Sequence, residues 1–176
     1  MQIITLEHTS ISDLTKCFNK AFSDYFVKFN VTEAYLQDRW YAAGVDFSLS
    51  AGVMDGGLLV GFIMNAVQEW RGLKSAFNVG TGVIPSHRGN QLTEKMYDFF
   101  LPKLIAQNIK CLGLEVIQEN HKAIHIYKKV GLVISRGLNC YNGEIRSDLL
   151  VQVDGISFKE IKNPDWKKLQ SFHDFE

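Results

Sequence analysis

Residues 78–131 decide the fold of this chain and read NVGTGVIPSHRGNQLTEKMYDFFLPKLIAQNIKCLGLEVIQENHKAIHIYKKVG. The run 78–84 is rich in β-forming residues and stops at Pro85, which cannot donate to a sheet ladder. Residues 86–90 are turn formers with a basic centre. After the turn, apolar residues recur at helical spacing, namely Leu92, Met96, Phe99, Phe100 and Leu104. The pattern predicts a strand, a basic turn and a long helix.

The turn before this helix is a candidate anion site. A basic loop that opens a helix gathers free backbone N–H groups and the positive end of the helix dipole. Phosphate is the usual anion at such a point. We therefore expect a phosphate group to bind near Arg88.

A second strand and a short helix follow. Residues 111–117 are apolar, and we expect them to pair parallel to the first strand because a helix crosses over between the two. Asn120 is typical of a helix N-cap. The apolar stripe after it places Tyr127 on the buried face. On pattern alone, a core tyrosine with a bonded hydroxyl is favoured over a catalytic one.

Three segments stand in the order and spacing of a known family: VIPSHRG at 83–89, LEV at 114–116 and an Asn-x-x-Ala-x-x-x-Tyr run at 120–127. They resemble the GNAT N-acetyltransferase superfamily, over about residues 47–141. The resemblance implies an α+β, GNAT-like acyl-CoA N-acyltransferase fold, a mixed and mostly antiparallel sheet flanked by helices. It also implies acetyl-CoA as co-substrate and no metal. The expected activity is direct transfer of an acetyl group to a primary amine of an unidentified acceptor.

The resemblance also assigns site residues. The expected cofactor-binding positions are Val83, Ile84, Arg88, Gly89, Asn90, Gln91, Leu92, Thr93 and Asn120. Tyr127 is the expected general acid towards the leaving thiolate, and a backbone N–H near Val83 is the expected oxyanion donor. Strand alternation makes Glu115 a candidate base, with Glu69 as another.

The phosphate loop departs from the family pattern Arg/Gln-x-x-Gly-x-Gly/Ala. Counting from Arg88 places Gln91 and Thr93 where the small residues belong. Glycine allows the backbone to approach a phosphate closely, whereas the Thr93 hydroxyl could itself donate to one. The departure keeps an alternative open, a non-catalytic domain that binds CoA or another ligand as a sensor or regulator.

Bulk properties agree with an enzyme of the cytoplasm. The chain has 176 residues, with 19 basic and 19 acidic side chains, so no net field favours nucleic acid or an anionic membrane. Residues 1–15 lack the apolar core of a signal peptide. Three separated cysteines suggest reduced thiols. The expected partner is a small-molecule or peptide amine, and a homodimer stays open.

The remaining elements are expected around this core. We predict a strand at 2–6, helices at 13–26 and from Thr32 to Tyr41, a hairpin of 47–54 with 58–67, a turn at 70–74 and a final hairpin of 132–136 with 138–145. Pro102 should kink or end the long helix. The aromatic residues of the first two helices should be mostly core. His121 and His125 should face solvent rather than hold a metal.

Residues 1–146 are expected to form the acetyltransferase domain, with 147–176 as a C-terminal extension. Residues 156–161 followed by 165–172 repeat the opening strand-and-helix pattern of the chain. This extension is either the start of a second, similar module or an element that packs on the first domain.

Overall fold

The computed structural model describes residues 1–70, 72–144 and the isolated positions 155, 157, 159, 160, 162 and 163. The chain divides into two units, Met1–Ser135 and Arg136–Glu176. The described residues of the second unit lie outside helices and strands. The predicted repeat at 156–161 and 165–172 falls almost entirely outside the described residues.

The first unit contains an α+β fold. Its strands are β1 (Gln2–Thr5), β2 (Ala51–Asp55), β3 (Leu58–Trp70), β4 (Leu73–Val83) and β5 (Cys111–Leu114). Its helices are α1 (Ile11–Ala21), α2 (Glu33–Ala42), α3 (Leu92–Ala106) and α4 (His121–Lys129), with a short 3-10 turn at Pro85–His87. The sheet order is β1-β2-β3-β4-β5. Neighbours are antiparallel except the parallel pair β4 and β5, which confirms the predicted sheet.

Helices cover the two faces of the sheet. Adjacent residues of a strand point to opposite faces. A Cβ placed on Gly61 would lie 3.7 Å from Cε of Met96 in α3. The next residue, Phe62, stacks on Phe18 of α1 with 5.8 Å between ring centroids. The core therefore has two layers, one under α1 and one under α3.

Several elements begin and end where local chemistry predicts. The Thr32 hydroxyl accepts from the Tyr35 N–H at 3.2 Å, and the Asn120 side chain accepts from the Ala123 N–H at 3.2 Å. Both are N-cap bonds. Between β2 and β3 the chain turns at Gly56–Gly57, both with positive φ, as the hairpin signal predicts.

Two predicted boundaries are wrong because side chains intervene. Helix α1 ends at Ala21 rather than at residue 26, and the Ala21 carbonyl accepts from the Arg88 guanidinium at 2.8 Å instead of from the Tyr25 N–H, as it would in a continuing helix. Strand β2 starts at Ala51 rather than at residue 47. Asp46 accepts from the N–H groups of residues 48 and 49 and so holds this segment in a turn.

Strand β5 and the final hairpin differ from their predictions, and Pro102 does not end helix α3. Strand β5 stops at Leu114 instead of residue 117, because its partner strand leaves after that point. Helix α3 continues through Pro102 to Ala106. Pro102 has no N–H to donate to the Asp98 carbonyl four residues earlier. Both residues are exposed, so water can bind that carbonyl instead. Residues 132–144 contain no strand of the predicted final hairpin, and residue 145 lies outside the described residues.

Candidate active site

Strand β4 has an open edge over its last residues. Strand β5 pairs with it only from Ser75 to Asn78, whereas pairing with β3 continues to Val83. The register also shifts opposite Met64 and Asn65, which leaves Val79 unpaired as a bulge. Bulges increase the local twist of a strand. A gap therefore opens beside residues 79–83, where an extended ligand can bind to strand backbone.

The backbone N–H of Val83 faces this gap. Ile84 donates to the Val60 carbonyl at 2.9 Å, so Ile84 uses its N–H in the ladder. In an antiparallel pair successive residues alternate between the two edges, and Val83 therefore points its N–H and C=O away from β3. Its C=O accepts from Arg88 Nε at 3.0 Å, as this orientation requires. Of the two predicted positions, only Val83 has a backbone donor available to a ligand.

The loop into α3 presents a set of free donors. The backbone N–H groups of residues 89–94 find no acceptor in the described part of the chain, and the first helical bond of α3 runs from Lys95 N to Gln91 O. The positive end of the dipole of this 15-residue helix lies at the same point. Gly89, with φ of +81°, turns the chain. The loop therefore presents the free donors and the positive helix end that an anion site requires.

Gln91 occupies a glycine-like position in this loop. Its φ is +56° in the left-handed region, at the position where the family pattern has glycine. Gln91 therefore adopts the left-handed backbone conformation that glycine would adopt at this position, although it carries a side chain. The Gln91 side chain is exposed, and Thr93, in the first turn of α3, is half-buried.

Arg88 anchors the loop through its side chain. Its guanidinium donates to both carboxylate oxygens of Asp24 at 2.6 and 2.8 Å, to the Ala21 carbonyl and to the Val83 carbonyl. The hydrogen bond with Arg88 holds the pKa of the Asp24 carboxyl below its ordinary value. Asp24 is thus held in an ion pair with Arg88. Next to Arg88, His87 Nε2 lies 3.1 Å from Asp55 Oδ2 and holds the other side of the loop.

Tyr127 belongs to a polar network under the open edge. Asn78 Nδ2 donates to the Thr81 hydroxyl at 2.8 Å and to the Tyr97 hydroxyl at 3.1 Å. Burial raises the pKa of Tyr127, and a hydrogen bond with Thr81 opposes the rise. The Tyr127 ring also packs edge-on against Tyr97 at 6.2 Å. Tyr127 is therefore a half-buried phenol that stays protonated at neutral pH.

Sequence reasoning missed the partners of Tyr127. Asn78 and Thr81 are polar residues in a β-rich run, and this polarity was the only feature of the sequence that could have marked them as part of the site. Tyr97 lies on the buried stripe of α3, where it resembles any core aromatic. Tyr25 is a further neighbour, because its hydroxyl lies 3.5 Å from Asn120 Nδ2. These contacts join residues that are far apart along the chain.

The predicted bases differ in position. Glu69 pairs with Lys74 at the far end of the β3–β4 hairpin. The nine residues from Lys74 to Val83 span about 30 Å of strand, so Glu69 lies outside this site. Glu115 is exposed directly after β5, beyond its last pair with β4. Glu115 was proposed as a base because of its place in the alternation of the strand, and it now lies outside that strand. It is still at the same end of β5 as the gap.

The two histidines of α4, His121 and His125, are exposed, as predicted from their helical direction. In the part of the chain that the structure describes, no three His, Cys, Asp or Glu side chains are grouped as metal ligands would be. Within the described residues, no helix combines the length and apolar character needed to cross a bilayer.

The mixed five-stranded sheet flanked by helices, with its open strand edge beside the loop into α3, is the architecture of an acyl-CoA N-acyltransferase fold. The sequence model of the acetyltransferase (GNAT) family matches residues 13–132, and the chain belongs to this family. No curated protein sequence matches it at a significant level.

Solved structures with a similar fold include three N-acetyltransferases. The aminoglycoside N-acetyltransferase AAC(6')-Iy, in complex with a CoA bisubstrate analogue, is 14% identical over 82% of this chain and 98% of its own, with a TM-score of 0.62. Glucosamine-6-phosphate N-acetyltransferase from Arabidopsis thaliana is 18% identical over 81% and 98%, with a TM-score of 0.59. Ribosomal-protein-alanine N-acetyltransferase from Brucella melitensis biovar Abortus 2308 is 18% identical over 81% and 100%, with a TM-score of 0.60. At such identities the likeness shows the fold.

Proposed function

We propose that this protein is an N-acetyltransferase that moves the acetyl group of acetyl-CoA directly onto a primary amine. The observation that carries the proposal is the continuity between the open edge of β4 and the free N–H groups of residues 89–94. An extended ligand that ends in an anion fits this arrangement. Acetyl-CoA is such a ligand, with a pantetheine arm and a pyrophosphate.

Each part of the site then has a role in binding. The pyrophosphate binds the free backbone N–H groups of residues 89–94, and the pantetheine arm hydrogen-bonds along residues 79–83. Gln91 does not block the loop, because its side chain is exposed. Thr93 adds a hydroxyl donor. Arg88 acts by holding the loop in place, and Asn120 holds the start of α4 beside it.

The chemistry follows from the same residues. The amine nitrogen attacks the thioester carbonyl carbon, and the new C–N bond forms as the C–S bond breaks. The Val83 N–H stabilises the negative charge that develops on the carbonyl oxygen. Tyr127 donates its proton to the departing sulfur. Before it attacks, the ammonium loses one proton to solvent, directly or through Glu115, whose exposed carboxylate can exchange protons with water. The second N–H proton, released as the amide forms, replaces through solvent the proton that Tyr127 has given to the sulfur.

Calorimetry and a product assay test this proposal. Acetyl-CoA should bind, and release of free thiol should match formation of an N-acetyl product by mass spectrometry. The amines tested should include 2-phenylethylamine, kanamycin, glucosamine 6-phosphate and a peptide with an N-terminal alanine. Binding without turnover on any amine would favour the alternative, a regulatory domain that binds CoA. Failure to bind CoA would remove both functions.

A further inference from the structure

The last turn of α1 and the segment that follows it carry a two-layer aromatic cluster. Its inner rings, Phe18 and Phe22, pack on the buried Phe62 with centroids 5.8 and 6.4 Å away. Its outer rings, Tyr25, Phe26 and Phe29, stack outward from these. The Tyr25 ring lies 5.1 Å from Phe22 and 5.3 Å from Phe26, and Phe29 lies 5.5 Å from Phe22.

Two of the outer rings are exposed, and Tyr25 is half-buried. Phe26 is 62% and Phe29 is 37% exposed, although Phe26 falls in the predicted helix 13–26, whose aromatic residues were expected to be mostly core. They lie outside the core because α1 ends at Ala21. An exposed cluster of large apolar side chains indicates a binding surface.

The segment is held in a defined shape at both ends. Asn19 binds Val31 twice, by donating to its carbonyl and accepting from its N–H, each at 2.9 Å. Asp24 is held by the two bonds from Arg88. The rings are therefore presented by an anchored loop, which lowers the entropy cost of binding a ligand.

This aromatic surface is continuous with the proposed reaction centre. The Tyr25 hydroxyl contacts Asn120, the N-cap of the helix that carries Tyr127. The Tyr25 phenol is also near enough to Tyr127 to add to the rise of its pKa. A group bound on the outer rings thus has one end beside the Tyr127 hydroxyl.

The charges of the segment define what it can bind. Residues 22–31 contain one acidic side chain, Asp24, and one basic side chain, Lys28. Asp24 is neutralised by Arg88, and Lys122 is also close to it. A polycation needs several unpaired carboxylates, which this segment does not offer. A monoamine with an aromatic or aliphatic body needs apolar surface, which the outer rings provide.

Resting on the proposed function, we infer that the acceptor is an arylalkyl or similar apolar monoamine whose body binds on Tyr25, Phe26 and Phe29. Its amine then reaches the thioester beside Tyr127. Polycationic amines are poor acceptors on this surface.

The test combines Phe26→Ala with the matched control Tyr41→Ala. Tyr41 is an aromatic residue on α2 and is 89% exposed. Its replacement by alanine also removes an exposed aromatic ring, but one outside the cluster, so it serves as the control. For 2-phenylethylamine, Phe26→Ala should raise KM and the dissociation constant by about tenfold, while Tyr41→Ala should change neither. Acetyl-CoA affinity and melting temperature should stay constant in both variants.

Equilibrium binding separates this inference from the proposed activity. If the protein does not transfer acetyl groups, no amine will release thiol. Calorimetry should then still detect binding of 2-phenylethylamine to the natural chain, and the about tenfold weaker binding to Phe26→Ala. The inference is overturned if spermidine or kanamycin is used as well as 2-phenylethylamine, or if Phe26→Ala behaves like Tyr41→Ala. A change in oligomeric state with unchanged amine binding would also overturn it, since the surface would then join copies of the chain.

Discussion

Asp24 and Arg88 form a two-point ion pair although 64 residues separate them along the chain. The pair joins the end of α1 to the loop that opens α3, with N–O distances of 2.6 and 2.8 Å. It therefore couples the aromatic segment after α1 to the proposed pyrophosphate site. The first prediction separates this anchoring role from direct contact with phosphate.

We expect Arg88→Ala and Asp24→Asn each to weaken acetyl-CoA binding by about tenfold, because either change releases the loop. The double variant should be little worse than either single one, since the two residues act as a unit. Calorimetry on the three variants measures the coupling. If Arg88 instead bound phosphate directly, Asp24→Asn would leave CoA affinity unchanged or raise it.

The ion pair also predicts a dependence of stability on pH. The hydrogen bond with Arg88 lowers the pKa of Asp24 in the folded protein. Its contribution is therefore fully present above the pKa of the unfolded chain and is lost as pH falls through the lower folded value. The difference in melting temperature between the natural chain and Asp24→Asn should be constant from pH 5 to 7 and shrink below about pH 4. A difference that grows in acid would contradict the pairing.

Gln91→Gly should stabilise the protein. Gln91 adopts φ of +56°, where a side chain costs about 1–2 kcal/mol, although glycine loses part of this gain through its freer unfolded state. We expect a net gain of about 0.5–1 kcal/mol in the free energy of unfolding, with CoA affinity equal or improved. Gln91→Ala keeps the Cβ and should show no such gain. Equal stability of the two variants would show that the backbone there is relaxed.

Gly82→Ala should destabilise the sheet beneath α1. A Cβ at Gly82 would lie 2.9 Å from the Ala21 Cβ and 2.9 Å from the Phe62 ring, so α1 must shift. The expected cost is about 1–3 kcal/mol in the free energy of unfolding. Gly113→Ala is the control, because its nearest contact, with Phe77, is an ordinary 3.4 Å. Chemical denaturation of both variants measures the difference, and similar costs would refute the packing argument.

Tyr127→Phe should lower kcat by about 10²-fold with little change in CoA affinity, because only the donated proton is lost. Tyr97→Phe is the matched control. Tyr97 is also buried and hydrogen-bonded, and its loss leaves the Asn78 bond to Thr81 in place. It should cost about 1 kcal/mol of stability and keep kcat. If Tyr127→Phe instead kept kcat on a verified acceptor and lowered only the melting temperature, Tyr127 would be a core residue.

Features governed by neighbouring residues could be predicted from the sequence. The apolar periodicity of α3, the caps at Thr32 and Asn120 and the Gly56–Gly57 turn depend on residues a few positions apart. The parallel crossover from β4 to β5 followed from the helix between them. These are short-range preferences of the backbone, so the β2–β3 hairpin, the parallel pairing of β4 with β5 and the start of α3 could be predicted.

Features that join distant segments required the tertiary structure. The end of α1 depends on Arg88, and the end of β5 depends on the point where β4 leaves it. The partners of Tyr127 and the exposure of Phe26 likewise come from packing between separate elements. The residues next to a position in the sequence indicate its secondary-structure propensity and the periodicity of the apolar residues around it. Which hydroxyl, carboxylate or ring meets it across the core is decided only when all the segments are packed together.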